Sequence, residues 1–125
     1  AYFHIPLPEY RLAFDDDTNK RVGVRKENEC SPGLNSGMFL AMKEMQDVMG
    51  TFTGHDHVNN YIVNYFGIAL AYGQFSGWRT TYVPEINGAR VVQLTEGKRE
   101  FDTWLRLLDG TVKYKVTFPA DLKGD

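Results

Sequence analysis

The sequence predicts an α+β domain, or a related α/β arrangement, whose strands after residue 60 are mostly antiparallel. One observation is an amphipathic stretch with helical period between residues 38 and 49. A second is a series of alternating apolar runs beyond residue 60 that includes a hairpin signal, Asp109-Gly110. A third is the length of 125 residues with 42% hydrophobic content, which suits one globular unit. We therefore expect residues 1–125 to form a single domain or a domain fragment.

The first part of the chain is expected to be extended and then irregular. Residues 1–4 predict a strand, and Pro6 and Pro8 end it because proline cannot donate ladder hydrogen bonds. A short helical turn is expected near residues 9–14. Residues 11–34 are otherwise polar and lack a clear period, which predicts a long loop of the kind that is functional or mobile.

A helix is predicted for the segment that carries the methionines. Asn35 or Ser36 offers an N-cap, and Gly50 stands where a left-handed residue commonly follows a helix. Four methionines align with Ala41 and Val48 on one helical face, namely Met38, Met42, Met45 and Met49. We expect this face to pack into the core rather than to bind a soft ligand or a partner.

Strand signals dominate the rest of the chain. Residues 61–72 predict two short strands joined by a turn near Tyr65-Phe66, and residues 89–95 predict another strand. Between them, residues 73–78 form a glycine-punctuated loop whose aromatic side chains either pack beneath it or form a pocket wall.

The strongest local signal is Asp109-Gly110 between two alternating runs, residues 101–108 and 111–118. This pattern predicts a β-hairpin that Pro119 ends. Four residues of its second strand are expected to face the core: Val112, Tyr114, Val116 and Phe118.

Composition excludes several classes of function. A net charge of −2 gives no electrostatic reason to expect nucleic acid or an anionic membrane as a partner, and no apolar run is long enough to span a bilayer. Cys30 is the sole cysteine, so no disulfide can form within the chain. We interpret it as a structural thiol in a loop rather than a nucleophile, because no residue near it in sequence would lower its pKa. The run Asp15-Asp16-Asp17 predicts a solvated loop. Without an initiator methionine or signal peptide, the chain is expected to lack the start of a larger protein.

All three histidines follow strand-like apolar runs. His55 and His57 share the segment 51–57, and residues two apart in extended backbone project to the same side, so both can face one ion or two adjacent ions. His4 follows the apolar residues 1–3. Two strand ends that each finish in a histidine predict a metal site at a sheet edge, with structural histidines as the alternative.

Four segments carry a resemblance to a known family: residues 3–10 (FHIPLPEY), 35–37 (NSG), 52–57 (FTGHDH) and 88–92 (GARVV). In this order and spacing, the chain resembles the calcineurin-like metallophosphoesterases, and most closely the branch related to purple acid phosphatases. The resemblance covers the first three-quarters of the chain. It implies the C-terminal half of an αββα sandwich, in which helices flank two β-sheets.

The resemblance also implies a dinuclear centre of two divalent or trivalent ions, with iron, zinc and manganese all compatible with imidazole ligands. His4 and His55 match the histidines that hold the second metal, and His57 matches the histidine that holds the first. The implied activity is hydrolysis of a phosphoester by metal-bound hydroxide, between ions about 3.5–4 Å apart. Tyr10 and Tyr72 are candidates for substrate binding, although aromatic packing explains both equally well.

The family's remaining metal ligands and its leaving-group histidine lie in motifs upstream of residue 1. Residues 15–17, Asp56 and Asn59 do not occupy the matching positions, so those roles are not carried onto them. We therefore expect no catalytic residue in this chain, and we expect the N-terminal half of the same protein to supply the missing ligands. The resemblance alone suggests an exported location.

Two other interpretations of the residues remain open. The chain could be a non-catalytic β-rich binding module with structural histidines and an interaction surface at residues 75–78. It could also hold a histidine-only structural metal site, which ranks last because structural zinc normally takes four protein ligands.

Overall fold

The computed structural model describes residues 1–78 and 83–124, and the elements below belong to that part of the chain. The helices are α1 (Glu9–Asp15) and α2 (Met38–Met45). The strands are β1 (Arg21–Val22), β2 (Gly50–Thr53), β3 (Ile62–Tyr65), β4 (Ile68–Tyr72), β5 (Gly88–Leu94), β6 (Phe101–Leu107) and β7 (Val112–Phe118). Short 3₁₀ turns cover Pro84–Ile86 and Ala120–Leu122. No helix in the described ranges is both long and apolar enough to cross a membrane.

The first sheet has the strand order β1-β3-β4-β2. β3 pairs antiparallel with β1 and β4, whereas β2 runs parallel to β4. On the far side of β2, Tyr2 forms an isolated parallel bridge with Phe52. The strand predicted for residues 1–4 is thus reduced to this bridge, while the two strands predicted within residues 61–72 are confirmed.

The second sheet is an antiparallel meander, β5-β6-β7. The Asp109-Gly110 turn joins β6 to β7 as predicted, with Gly110 at φ +89° and the Asp109 carboxylate accepting a hydrogen bond from the Thr111 amide at 2.8 Å. Glycine takes this left-handed conformation without steric cost. With two helices and mostly antiparallel sheets, the α+β prediction is confirmed.

All five residues of β4 are buried because both of its faces are covered. The helices cover one face, in a cluster of Leu7, Tyr10, Ala13, Phe39, Met42, Tyr61, Val63, Ile68, Leu70 and Tyr72. The second sheet covers the other, in a cluster of Ile62, Ala69, Ala71, Phe101, Val116, Phe118 and Leu122. The described residues therefore form three layers, in the order helices, first sheet, second sheet.

Arg90 on β5 joins the two sheets through its guanidinium group. Nε donates to the Tyr72 carbonyl at the end of β4, and Nη2 donates to the Asn60 carbonyl just before β3 at 2.7 Å. Nη1 reaches the Thr103 hydroxyl on β6 at 3.2 Å. Burial lowers the pKa of Arg90 to about 10, so the group remains charged at neutral pH.

The bounds of α2 differ from those predicted. The helix stops before Gln46, which takes a left-handed φ of +59°, and Gly50 belongs to β2 rather than to a helix end. The predicted caps Asn35 and Ser36 are wrong, because the N-cap position is Gly37 at φ +76°. The Asn35 side chain instead accepts a hydrogen bond from the Gly37 amide at 2.9 Å, which fixes the turn ahead of the helix.

The methionine face is core only in part. Met42 is buried and Met49 packs against the cluster between the sheets, but Met38 and Met45 are 39% and 71% exposed. The prediction is wrong for Met38 and Met45 because α2 is short and rests on the sheet through Phe39 and Met42, which are three residues apart.

The polar region 11–34 is less irregular than predicted. The helical turn near residues 9–14 is confirmed as α1, and β1 adds a short edge strand beside β3. Asp15 ends α1 and pairs with Arg25 at 2.6 Å, and Asp17 pairs with Arg21 at 2.7 Å. The acidic run is exposed, so such pairs contribute little to stability.

A β-bulge shifts the inward pattern predicted for β7. The register between β6 and β7 changes between Thr103 and Leu105, and Tyr114 opposite them has a φ of +53°. Val116 and Phe118 are buried as predicted, but Val112 is 51% exposed because it lies beyond the bulge. An extra residue in one strand reverses the faces of those that precede it.

We predict that Arg90→Lys lowers the free energy of unfolding by about 2 kcal/mol, because a lysine ammonium cannot reproduce the three-way fork and leaves buried carbonyls unpaired. Chemical denaturation monitored by tryptophan fluorescence measures the loss. Arg106→Lys is the control, since Arg106 lies exposed on β6. Equal stability of the two variants would contradict a joining role for Arg90.

Candidate metal centre

Two chain segments bring the candidate ligands together at the end of β2. Residues 1–3 run beside β2, with the Phe52 amide donating to the Ala1 carbonyl at 2.9 Å and the Phe3 amide donating to the Phe52 carbonyl at 3.1 Å. The His4 carbonyl then accepts from the amides of Gly54 and His55 at 3.2 Å and 3.0 Å. The two segments therefore turn away from the sheet at one point, each with a histidine at its end.

His4 and His55 meet through their ring nitrogens. Nδ1 of His55 lies 3.2 Å from Nε2 of His4, and the rings stand edge to face at 84°. Two nitrogens bound to one tetrahedral zinc, with bonds of about 2.0–2.1 Å, lie about 3.3–3.4 Å apart. The separation thus fits both a direct hydrogen bond and two ligands of one ion.

His57 lies on a neighbouring cavity of about 540 Å³. Its ring is 5.6 Å from that of Phe75, and the glycine-punctuated loop lines the cavity through Gly73 to Trp78. A second cavity, of about 510 Å³, is lined by His4, and the two adjoin along Gly54, Gly73, Gln74 and Ser76. The structure therefore brings His4 and His55 into contact and places His57 in the adjoining cavity.

Asp56, between the two histidines of the turn, is anchored in the protein. It is 4% exposed, its Oδ2 accepts a short hydrogen bond from the Tyr72 hydroxyl, and its Oδ1 accepts from the Cys30 amide at 3.1 Å. Burial and the bond to Asp56 raise the pKa of Tyr72. This carboxylate fixes the turn that presents His55 and His57, a role the sequence did not indicate.

Asn59 attaches a separate loop to the same turn. Its Oδ1 accepts from the amides of Lys26 and Glu27 at 2.8 Å and 3.1 Å, and its Nδ2 donates to the Glu27 carbonyl at 2.9 Å. Next to it, the Asn60 Oδ1 accepts from the Val24 amide at 2.9 Å. The Asn59-Asn60 pair after the histidine turn was the available sequence signal for this attachment.

Cys30 lies at the candidate centre rather than in a remote loop. Its Sγ, one ring nitrogen of His55 and one carboxylate oxygen of Asp56 all lie within 4.8 Å of one another. The charge of Asp56 raises the pKa of the exposed Cys30 thiol. No local sequence pattern connects Cys30 with His55, which explains why the sequence alone does not reveal their proximity.

The two candidate substrate tyrosines occupy different positions. Tyr72 lines the cavity that contains His57, and its hydroxyl is bound to Asp56. Tyr10 has no exposed surface and lines neither cavity, because its hydroxyl bonds to Thr51 and to the Ala71 carbonyl inside the helix-facing cluster. The structure thus gives Tyr10 a packing environment and leaves Tyr72 beside the candidate centre.

The chain is similar to several curated proteins. "Probable inactive purple acid phosphatase 14" of Arabidopsis thaliana is 38% identical over 121 residues, which cover 87% of this chain and 29% of that protein. "Probable inactive purple acid phosphatase 29" of the same plant is 45% identical over 78 residues, covering 62% and 20%. "Phosphatase DCR2" of Saccharomyces cerevisiae is 30% identical over 139 aligned positions, covering 100% and 23%.

These alignments span only part of each relative. The chain corresponds to between 20% and 29% of their length. No protein-family model matches the chain. No solved structure matches it at a significant level.

We predict that Tyr72→Phe lowers the free energy of unfolding by about 2 kcal/mol, because it removes a hydroxyl donor from the buried Asp56 carboxylate. Thermal or urea unfolding measures the change. Tyr2→Phe is the matched control, since Tyr2 is 73% exposed and contributes mainly its ring, stacked on Phe52. A stability loss confined to Tyr2→Phe would refute the assignment.

Proposed function

We propose that this chain serves metal-dependent phosphoester hydrolysis. The premise is that it belongs to the calcineurin-like metallophosphoesterases, in the branch related to purple acid phosphatases. In this proposal His4 and His55 hold one ion of a dinuclear centre and His57 holds the other. The substrate is a phosphoester that enters the cavity beside His57.

The contact between His4 and His55 carries the proposal. Two segments separated by about fifty residues converge so that two imidazole nitrogens lie 3.2 Å apart, a spacing suited to one ion. His57 lies on the adjoining cavity, where a second ion has room. Imidazole suits zinc, iron and manganese, so the histidines by themselves do not choose among these ions.

The remaining residues prepare the site for a phosphoryl group. When bound, a metal pair of this kind activates water and neutralises charge on the phosphoryl oxygens. Asp56 and Tyr72 hold the histidine turn in place through their hydrogen bond. Ser76 brings a hydroxyl group to the boundary between the cavities, where the Gln74 carboxamide is bonded to Asn60 and to the Ile86 carbonyl. Phe75 provides an apolar wall beside His57.

The other metal ligands are proposed to come from outside residues 1–125. Three neutral imidazoles bring no negative charge to two cations, and each would hold only one of them, so further ligands such as carboxylates are expected to complete the centre. The chain corresponds to 29% or less of the length of its relatives, which leaves room for such a ligand set in another part of the same protein.

The alternative is a non-catalytic β-rich module whose histidines are structural. The two Arabidopsis relatives described above are named "probable inactive", which favours this alternative, whereas the yeast relative is named a phosphatase. A hydrogen bond between His4 and His55 without any metal is compatible with it.

We predict that the full-length protein hydrolyses a phosphomonoester in a metal-dependent reaction. His57→Ala should lower kcat/KM at least about a hundredfold, because loss of a direct metal ligand should lower activity at least as much as loss of one of its hydrogen-bonding partners. An assay with a chromogenic phosphomonoester, with and without chelator, measures the effect. Met45→Ala is the control, because Met45 is exposed on α2. Undiminished activity of His57→Ala would exclude the proposed centre.

We also predict that the full-length protein holds two metal equivalents and that the chain of residues 1–125 holds no more than one, since part of the ligand set is external. Plasma mass spectrometry on both proteins, purified without added metal and with a chelator-washed sample as the blank, gives the counts. Two equivalents on residues 1–125 alone would contradict external ligands, and none on the full-length protein would favour the non-catalytic module.

A further inference from the structure

We propose that Cys30, His55 and Asp56 form a zinc-selective site with one thiolate, one imidazole and one carboxylate ligand. The trio shares His55 with the proposed dinuclear centre but includes neither His4 nor His57, so the inference rests on the proposed function at that one residue. Its geometry and its test stand apart from any hydrolytic activity.

The positions of the three ligand groups are built into the fold. Cys30 and Asp56 come from different segments, which the Cys30 amide joins by its hydrogen bond to Asp56 Oδ1 at 3.1 Å. Asn59 holds the preceding residues 26–27 against the histidine turn, and the Ser31 hydroxyl holds the following residue by donating to the Leu7 carbonyl at 3.1 Å. The thiol is therefore carried by a loop that is attached on both sides.

The distances are close to those of a bound ion. The three ligand atoms lie within 4.8 Å of one another, and the edges of a tetrahedral zinc site with sulfur, nitrogen and oxygen ligands are about 3.3–3.6 Å. Cys30 is exposed, so rotation of its short side chain can close the difference. The buried Asp56 carboxylate gives this position a negative potential, which a divalent cation would neutralise.

The mixed donor set decides the kind of ion. Thiolate ligands favour soft or borderline ions such as zinc, and carboxylate and imidazole ligands are compatible with it. Manganese and magnesium prefer oxygen ligands and gain little from sulfur. On binding, the thiol proton leaves to solvent, because the thiolate is the ligand form.

Cobalt(II) titration of the reduced chain tests the proposal, because a thiolate bound to cobalt gives a charge-transfer band in the near ultraviolet. Cys30 is the only cysteine, so such a band has a single source. We expect the band to appear at one equivalent, to disappear on adding zinc, and to be absent in Cys30→Ser. Zinc affinity of Cys30→Ser should fall at least about tenfold, as expected for a direct ligand.

Two further variants test the rest of the trio. His55→Ala should abolish the band, and Asp56→Asn should weaken binding, whereas Asp17→Asn, which alters an exposed carboxylate paired with Arg21, should leave both unchanged. Circular dichroism confirms that each variant is folded. A manganese titration followed by zinc competition tests the selectivity.

The outcomes separate this inference from the proposed function. Cobalt binding without the band, or a band that survives Cys30→Ser, overturns the thiolate site, and so does a failure to bind cobalt. Metal-dependent hydrolysis by the full-length protein would survive any of these results, because it rests on His4, His55 and His57. Conversely, the band together with an inactive full-length protein would support the zinc site and reject the hydrolytic role.

Discussion

The hydrogen bonds of the Arg90 guanidinium group fix the edge of the molecule at which the candidate centre lies. Its hydrogen bonds reach the Asn60 carbonyl, where the chain enters β3, and the Tyr72 carbonyl, where it leaves β4. The histidine turn ends just before Asn60, and the cavity-lining loop begins just after Tyr72. These hydrogen bonds tie both segments to the second sheet, and oriented carbonyl groups accept them from the partly buried guanidinium cation.

Backbone and side-chain hydrogen bonds position different parts of the candidate site. The end of β2 and residues 1–3 set where His4 and His55 emerge, through a ladder of backbone hydrogen bonds. Side-chain hydrogen bonds then set the shape of the turn, with Asp56 bound to Tyr72 and to the Cys30 amide. Ligands on strand ends are held more precisely than ligands on free loops, which is what a metal centre requires.

Features with local signals could be predicted from the sequence. The hairpin at Asp109-Gly110 depends on two adjacent residues, and the convergence of His4 with His55 followed from their positions after apolar runs. The bulge at Tyr114 and the contacts of Arg90 and Cys30 depend on residues distant in sequence, so no period or spacing reveals them. The burial predicted for the methionine face is wrong for Met38 and Met45, because helical spacing does not determine the length of a helix or the side on which it packs.

Residues 24–30 and the central strand β4 are held in the molecule by different kinds of contact. β4 is shielded on both faces, so its amide hydrogens can exchange with solvent only when the whole fold opens. The loop, in contrast, is held mainly by side-chain hydrogen bonds, to Asn59, Asn60, Asp56 and Tyr61, so its local opening is expected to cost less free energy than the opening of β4. Local opening of this loop would move the Cys30 thiol away from His55 and so change the donor atoms that the folded protein offers to an ion.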